Sequence, residues 1–304
     1  MNSESLNYLR QIVPDENIRV DEPMSRHTTF RTGGPASLFM RVSDISLLKE
    51  IKRILEQAGE PYFIIGNGSN ILVSDRGYDG AVISLEQLSR VELRGENLVY
   101  AQAGALNSAI ASFARDNSLT GFEFAAGIPG TIGGAMIMNA GAYGGEMKMI
   151  TRQVEVLGPS GEEMVMDCDA MEFGYRTSAI KGRNYIVLSA LLALEKGDPV
   201  LIREKMTELA MKRKEKQPLE FPSAGSTFKR PEGYFAGKLI EDAGLKGFSV
   251  GDAQVSEKHC GFVINKGQAT SSDIYALIQS VKTRVYDCFG VTLEPEVIMI
   301  GEFE

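Results

Sequence analysis

The stretch AAGIPGTIGGAMIMNAGAYGG, residues 125–145, carries no charge, and none occurs between Glu123 and Glu146. Its length suits a membrane span. Its content does not: seven glycines, Pro129 and Asn139 stand beside Ile and Met as the only large aliphatics. Each glycine costs roughly 1 kcal/mol in a helix interior and buries no side chain, so a span is rejected on composition. Glycine at this density serves close backbone approach or positive φ angles. Two readings stay open: tight packing between chain segments, or a ligand lying directly on the backbone.

The rest of the chain bounds the choice. Its 304 residues suffice for two domains or one large one. At 43% hydrophobic and 24% charged residues it is an ordinary globular composition that can bury a sizeable core. A net charge of −8 argues against nucleic acid or an anionic membrane surface as a general partner. Cys168, Cys260 and Cys288 are far apart and form no CxxC pair. Neither a disulfide framework nor a zinc knuckle is expected, and a reducing cytoplasm is. The N-terminal MNSESLNYLRQIVPDENI lacks an apolar signal core, so no membrane insertion is expected. With His27 and His259 as the only histidines, a His-rich metal site is excluded, a Ser-His-Asp triad is disfavoured, and no metal is expected. A monomer is expected.

Patterning then gives a coarse order of elements. Leu47, Leu48, Ile51, Ile54, Leu55 and Ala58 recur at helical spacing and predict a helix over 43–58, stopped by Gly59. PYFIIG (61–66), AVISL (81–85) and LVYAQAG (98–104) predict strands, and residues 106–116 a helix. TIGGAMIMNA predicts a short helix, and VEVLG (154–158) and YIVLSALLAL (185–194) predict strands. A charged helix over 201–216 ends in Lys212, Arg213, Lys214 and Lys216, which suits the negative end of its dipole. Pro218 and Pro222 then mark a domain boundary near 218. Residues 271–289 predict an amphipathic helix with Thr270 as N-cap and Gly290 as stop. VTLEPEVIMIG predicts a closing strand. Strands and helices alternate loosely, so the class is α+β or α/β.

Five stretches can carry chemistry. In IIGNGSNILVSDRG an apolar strand enters Gly66-Asn67-Gly68-Ser69-Asn70 and another apolar strand leaves it. No helix follows directly, so this is not a Rossmann fingerprint. Small residues in a row can still form a nest of N–H groups for phosphate; the competing reading is a hairpin turn. In the opening stretch, Gly127-Ile128-Pro129-Gly130-Thr131 can present N–H groups at a helix start. Two such loops suggest a pyrophosphate held from two sides, as in a dinucleotide such as FAD. Ser226, Lys229 and Arg230 in SAGSTFKRPEGYFAGKLIEDAG suit a phosphorylated or carboxylated substrate, or else a solvated turn. Arg176, between Tyr175 and Thr177, can grip a carboxylate bidentately, though a lone arginine is more often a surface residue. Glu296 in LEPEV opens an apolar strand and gains interest only if it meets Arg176 and Ser226 in space.

Together, and in order, these stretches resemble the UDP-N-acetylenolpyruvoylglucosamine reductase family. The words that carry the resemblance are TTFRTGGPA, GNGSNILVSDRG, AGIPGTIGGA with MNAGAYG, FGYRTS, GSTFKRP, GKLIEDAGLKG, AQVSEKHCGFVIN and LEPEV, from about residue 28 to 300. GSTFKRP, where another branch has GSFFKNP and an extra tyrosine-bearing loop, places the chain with the shorter branch.

The resemblance implies an α+β fold. An FAD-binding domain of the vanillyl-alcohol-oxidase type would span 1–218, in subdomains of about 22–88 and 89–218, followed by an α/β substrate-binding domain over 219–304. It implies reduction of UDP-N-acetylglucosamine enolpyruvate to UDP-N-acetylmuramate for peptidoglycan, with NADPH as co-substrate. Hydride would reach the enolpyruvyl methylene carbon by way of FAD, and a proton the adjacent carbon. The matched positions make Ser226 the proton donor and Arg176 the group that holds the carboxylate and stabilises the enolate. Glu296 would assist, hydrogen-bonded or protonated. Lys229, Gln254 and Tyr175 would contact substrate. Arg31, Gly66 to Asn70, and Gly127 to Thr131 would contact FAD. His27 is not a family attachment site, so FAD is expected to be non-covalent. Two other classes stand beside this reading: a flavin oxidase of the same fold acting on alcohols or sugars, and a non-catalytic nucleotide-binding module.

Overall fold

The computed structural model describes residues 3–303. Its elements follow from local chemistry. Helix Ile45–Gln57 begins where the Asp44 carboxylate accepts the Leu47 N–H at 2.8 Å, which satisfies one orphan donor of the first turn. It buries Leu48, Ile51, Ile54 and Leu55, the face that the spacing predicts. Helix Ser271–Phe289 starts with a capping box: Thr270 accepts the Asp273 N–H and Asp273 accepts the Thr270 N–H, each at 3.0 Å. Gly290 ends it at φ +67°, a left-handed turn that favours glycine.

The chain divides into two compact units. The first holds residues up to Arg19, Phe39–Asn67 and Ala81–Arg213. Its centre is a five-stranded antiparallel sheet, ordered Glu163–Asp167, Thr151–Leu157, Ile186–Ala193, Leu98–Gln102, Val91–Arg94. The short helix Ile132–Ile137 packs against Ile186–Ala193. Tyr62–Ile65 pairs parallel with residues 81–84.

The second unit holds Val20–Leu38, Gly68–Gly80 and the chain from Lys214 onward. An antiparallel sheet runs in the order Ser249–Val250, Ala253–Val255, Val263–Asn265. Helix Ser271–Phe289 packs on this sheet and contributes Ile274, Leu277, Ile278, Val281 and Val285 to one buried cluster with Phe30, Leu72 and Phe228. Ile298–Ile300 pairs parallel with Ile71–Val73. Mixed sheets with separately packed helices make the class α+β.

Three expectations change. The hairpin reading of Gly66–Asn70 fails, because the strand before it pairs with 81–84 and the strand after it pairs with Ile298–Ile300. The closing strand is shorter than VTLEPEVIMIG: only Ile298–Ile300 is regular. Residues 294–296 make a single bridge instead, Phe228 opposite Pro295; proline has no N–H to extend a ladder. The charged helix begins at Pro199, and Arg213 at its end is buried, not a solvated dipole partner.

Candidate active site

Within the first unit the two glycine-rich loops meet. A Cβ placed on Gly66 would lie 2.3 Å from Thr131 Oγ1, closer than any real contact. Residues 103–107 lie along the second loop: Gly130 accepts the Asn107 N–H, Ala105 the Ile132 N–H and Ala103 the Gly133 N–H. The Asn107 side chain donates to the Ile128 carbonyl at 3.4 Å. Its own Oδ1 is buried and has no hydrogen-bond partner. Across Gly127 lies Arg213, whose Nε would be 3.2 Å from a Cβ there. Burial lowers the guanidinium pKa, opposed by a hydrogen bond with Tyr143.

The FGYRTS segment also belongs to the first unit. Gly174 and Thr177 bridge its ends. Arg176 sits at φ +56°, a conformation that costs non-glycine residues about 1–3 kcal/mol and clusters at functional sites. Its guanidinium lies 5.3 Å from the Tyr175 ring centre and donates to the Gly141 carbonyl at 3.3 Å. Tyr175 is exposed.

In the second unit, Gly68 is at φ +61°, with the His27 carbonyl 1.9 Å from where a Cβ would stand. Asn70 Nδ2 donates to the Glu296 carbonyl at 3.1 Å. Arg31, at φ +58°, borders a polar cavity of about 310 Å³ shared with Asp75, Asn265, Gln268 and Thr270. The residue after Ser226 is central. Thr227 donates its N–H to Gly261 and accepts the Glu296 N–H on its carbonyl, both at 2.8 Å. Lys229 donates its N–H to the Glu294 carbonyl at 2.9 Å, and its ammonium pairs with the Glu294 carboxylate. Gln254 donates to the Gly247 carbonyl and to Ser249 Oγ, each at 3.1 Å. His259 Nδ1 accepts the Gly261 N–H at 3.0 Å, and burial lowers its pKa. Burial raises the Cys260 thiol pKa, so it is a poor nucleophile.

Two family models match the chain. Residues 36–167 fit an FAD-binding domain model, and 217–300 fit the C-terminal domain of UDP-N-acetylenolpyruvoylglucosamine reductase. The reductase of Alkaliphilus oremlandii is 51% identical over 295 residues, covering 97% of each chain. That of Caldanaerobacter subterraneus is 49% identical over 294 residues, again 97% of each. The chain belongs to the UDP-N-acetylenolpyruvoylglucosamine reductase family. The crystal structure of the Thermus caldophilus reductase covers 93% of this chain and all of its own, at TM-score 0.80 and 35% identity. A grass-pollen glucose dehydrogenase, Phl p 4, matches 64% of this chain and 44% of its own at TM-score 0.52 and 14% identity, which shows the shared fold alone.

As a member of this reductase family, with an FAD-binding domain, the protein is a flavin-dependent oxidoreductase. The residues present fit that cofactor. The loops at 66–70 and 127–131 are uncharged and rich in glycine, the first adding Asn67, Ser69 and Asn70 and the second Thr131 as donors, and Asn107 keeps one buried acceptor unused beside the second. Among the described residues no helix is long and apolar enough to cross a membrane, and no His, Cys, Asp or Glu cluster could hold a metal.

Three residues that the sequence reading passed over matter here. Asn107 braces the second glycine loop and Thr227 links Ser226 to Glu296. Asp75 accepts the N–H groups of Ser271 and Ser272 and the Ser272 hydroxyl, at 2.7–2.8 Å. Asp is a helix-capping residue type, but nothing in the sequence names a helix start 196 residues away.

Proposed function

We propose that the protein reduces UDP-N-acetylglucosamine enolpyruvate to UDP-N-acetylmuramate at the expense of NADPH, in the peptidoglycan pathway of the cytoplasm. The observation that carries the reading is the hydrogen bond from the Glu296 N–H to the carbonyl of Thr227, the residue after Ser226. It ties together the two chain segments that bear the family's proton donor and carboxylate. Residues 1–218 are assigned to cofactor binding and 219–304 to substrate binding. Arg31, Gly66 to Asn70 and Gly127 to Thr131 hold non-covalent FAD. When bound, FAD supplies the hydride carrier between the nicotinamide and the enolpyruvyl double bond.

The chain's own residues handle the charge and the proton. Hydride addition at the methylene carbon leaves negative charge on the adjacent carbon and its carboxylate. Arg176 pairs with that carboxylate and stabilises the enolate by charge. Ser226 passes its hydroxyl proton to the adjacent carbon, completing the saturated ether. A serine hydroxyl is a weak acid, and the strongly basic enolate makes the transfer favourable. Glu296, hydrogen-bonded or protonated, assists without repelling the enolate. Tyr175, Lys229 and Gln254 contact the substrate.

The test is anaerobic. Purified protein should be yellow, bleach with NADPH, and regain its colour on adding the enolpyruvyl substrate. Colourless protein that cannot be reconstituted with FAD overturns the reading. So does bleached protein that regains colour only with oxygen, which is oxidase behaviour.

A further inference from the structure

We propose that the Thr227 side chain is a positioning residue for the protonation step, holding Ser226 and Glu296 in register through its hydroxyl. The inference rests on the roles given above to Ser226 and Glu296. Thr227 is fully buried. Its neighbours on the chain run beside the edge strand Val263–Asn265. There the Asn265 N–H donates to the Pro222 carbonyl at 2.9 Å, and Ser223 bridges Ile264. The run then breaks at Gly225, whose φ is +77°. Beyond that turn an ordinary ladder would use a backbone carbonyl to receive the next strand N–H. Here the Val263 N–H goes instead to Thr227 Oγ1, at 2.9 Å.

The Thr227 carbonyl in turn accepts the Glu296 N–H at 2.8 Å. One residue therefore fastens two other chain segments at three points: Gly261 through its N–H and Val263 through its hydroxyl on one, and Glu296 through its carbonyl on the other. Without the hydroxyl, the Val263 N–H becomes a buried donor that has lost its acceptor, a costly state that the Thr227 segment can relieve only by shifting. That shift displaces the Thr227 carbonyl from the Glu296 N–H, leaving the Asn70 bond to the Glu296 carbonyl, and the adjacent Ser226 backbone turns with Thr227.

Valine keeps the shape of threonine and removes the acceptor; serine keeps the acceptor and removes the methyl. Full-length flavoprotein carrying Thr227→Val or Thr227→Ser is followed through both half-reactions by rapid-mixing absorbance. In T227V, NADPH-driven flavin bleaching stays within about twofold of the parent, and reoxidation by saturating substrate slows about tenfold or more with little change in KM. Its reoxidation shows a larger solvent deuterium isotope effect than the parent, because proton transfer limits it further. T227S keeps both rates within about threefold. The proposal is overturned if T227V reoxidises at the parent rate, if both half-reactions fall together, or if T227S is as slow as T227V. Should T227V not fold, T227A replaces it and must show the same split against T227S; a T227A enzyme at parental rate also overturns it. Parent protein that bleaches with NADPH but ignores the enolpyruvyl substrate would refute the functional reading, not the role of Thr227 in holding the two segments.

Discussion

The side chain of Asn70 and the backbone of Glu296 are joined: Nδ2 donates to the Glu296 carbonyl at 3.1 Å, and the Asn70 carbonyl accepts the Ile298 N–H at 3.0 Å. The loop assigned to the cofactor and the backbone of the segment that bears Glu296 thus share direct hydrogen bonds. Asn70→Ala removes the side-chain bond, worth about 1 kcal/mol in stability, and should slow substrate-dependent reoxidation more than NADPH-driven bleaching. Rapid-mixing absorbance on the flavin-loaded variant checks this; equal slowing of both steps would assign Asn70 to cofactor binding alone.

Gly66 and Gly68 should tolerate alanine unequally. At Gly66 the new Cβ meets the Thr131 side chain, which can shift at a cost of about 1–3 kcal/mol. At Gly68 it meets the His27 carbonyl, and the left-handed backbone adds its own penalty. Gly68→Ala should therefore lower thermal stability and bound flavin per chain more than Gly66→Ala. Melting curves and released-flavin absorbance give the order; the reverse order would mean that Thr131 is the less yielding neighbour.

Ser226→Ala should separate the half-reactions. NADPH-driven bleaching should persist, while reoxidation by substrate should fall about 100-fold or more, the usual worth of a positioned proton donor. Survival of both steps would remove Ser226 from that role.

Asp75 predicts a pH dependence. Burial alone would raise its carboxyl pKa, but the hydrogen bonds from Ser272 and Ser271 outweigh it and hold the pKa below the ordinary value. A carboxylate with a lowered folded pKa stabilises the fold at neutral pH, and that contribution is lost as pH falls through the folded pKa. Asp75→Ala should cost about 1 kcal/mol near neutral pH, as for a lost helix cap, and almost nothing once the parent carboxylate is protonated. Urea melts of both proteins across the acid range would show the two curves converging; a constant gap would leave no role for the charge.

Much of this was written into the sequence. Apolar spacing set the helices Ile45–Gln57 and Ser271–Phe289, and Thr270 and Gly290 marked the ends of the second, because caps depend on residues within one turn. Glycine density over 125–145 ruled out a membrane span and pointed to close approach, which Gly145 against the Phe124 ring displays. The order of short words such as GSTFKRP and LEPEV singled out Ser226 and Glu296.

Tertiary structure alone decided what those words do to one another. Pairing of Ile71–Val73 with Ile298–Ile300 spans most of the chain, and nothing local separates it from a hairpin with the strand before it. The burial of Arg213 against Gly127 could not be read from a run of basic residues that resembles a solvated helix end. Nothing local marks Thr227 within GSTFKRP, since a hydroxyl gains meaning only from the donor it faces, and Val263 is 36 positions away. Local patterning fixes what each segment can be; long-range hydrogen bonds, whose partners are set by packing and not by spacing, fix which segments act together.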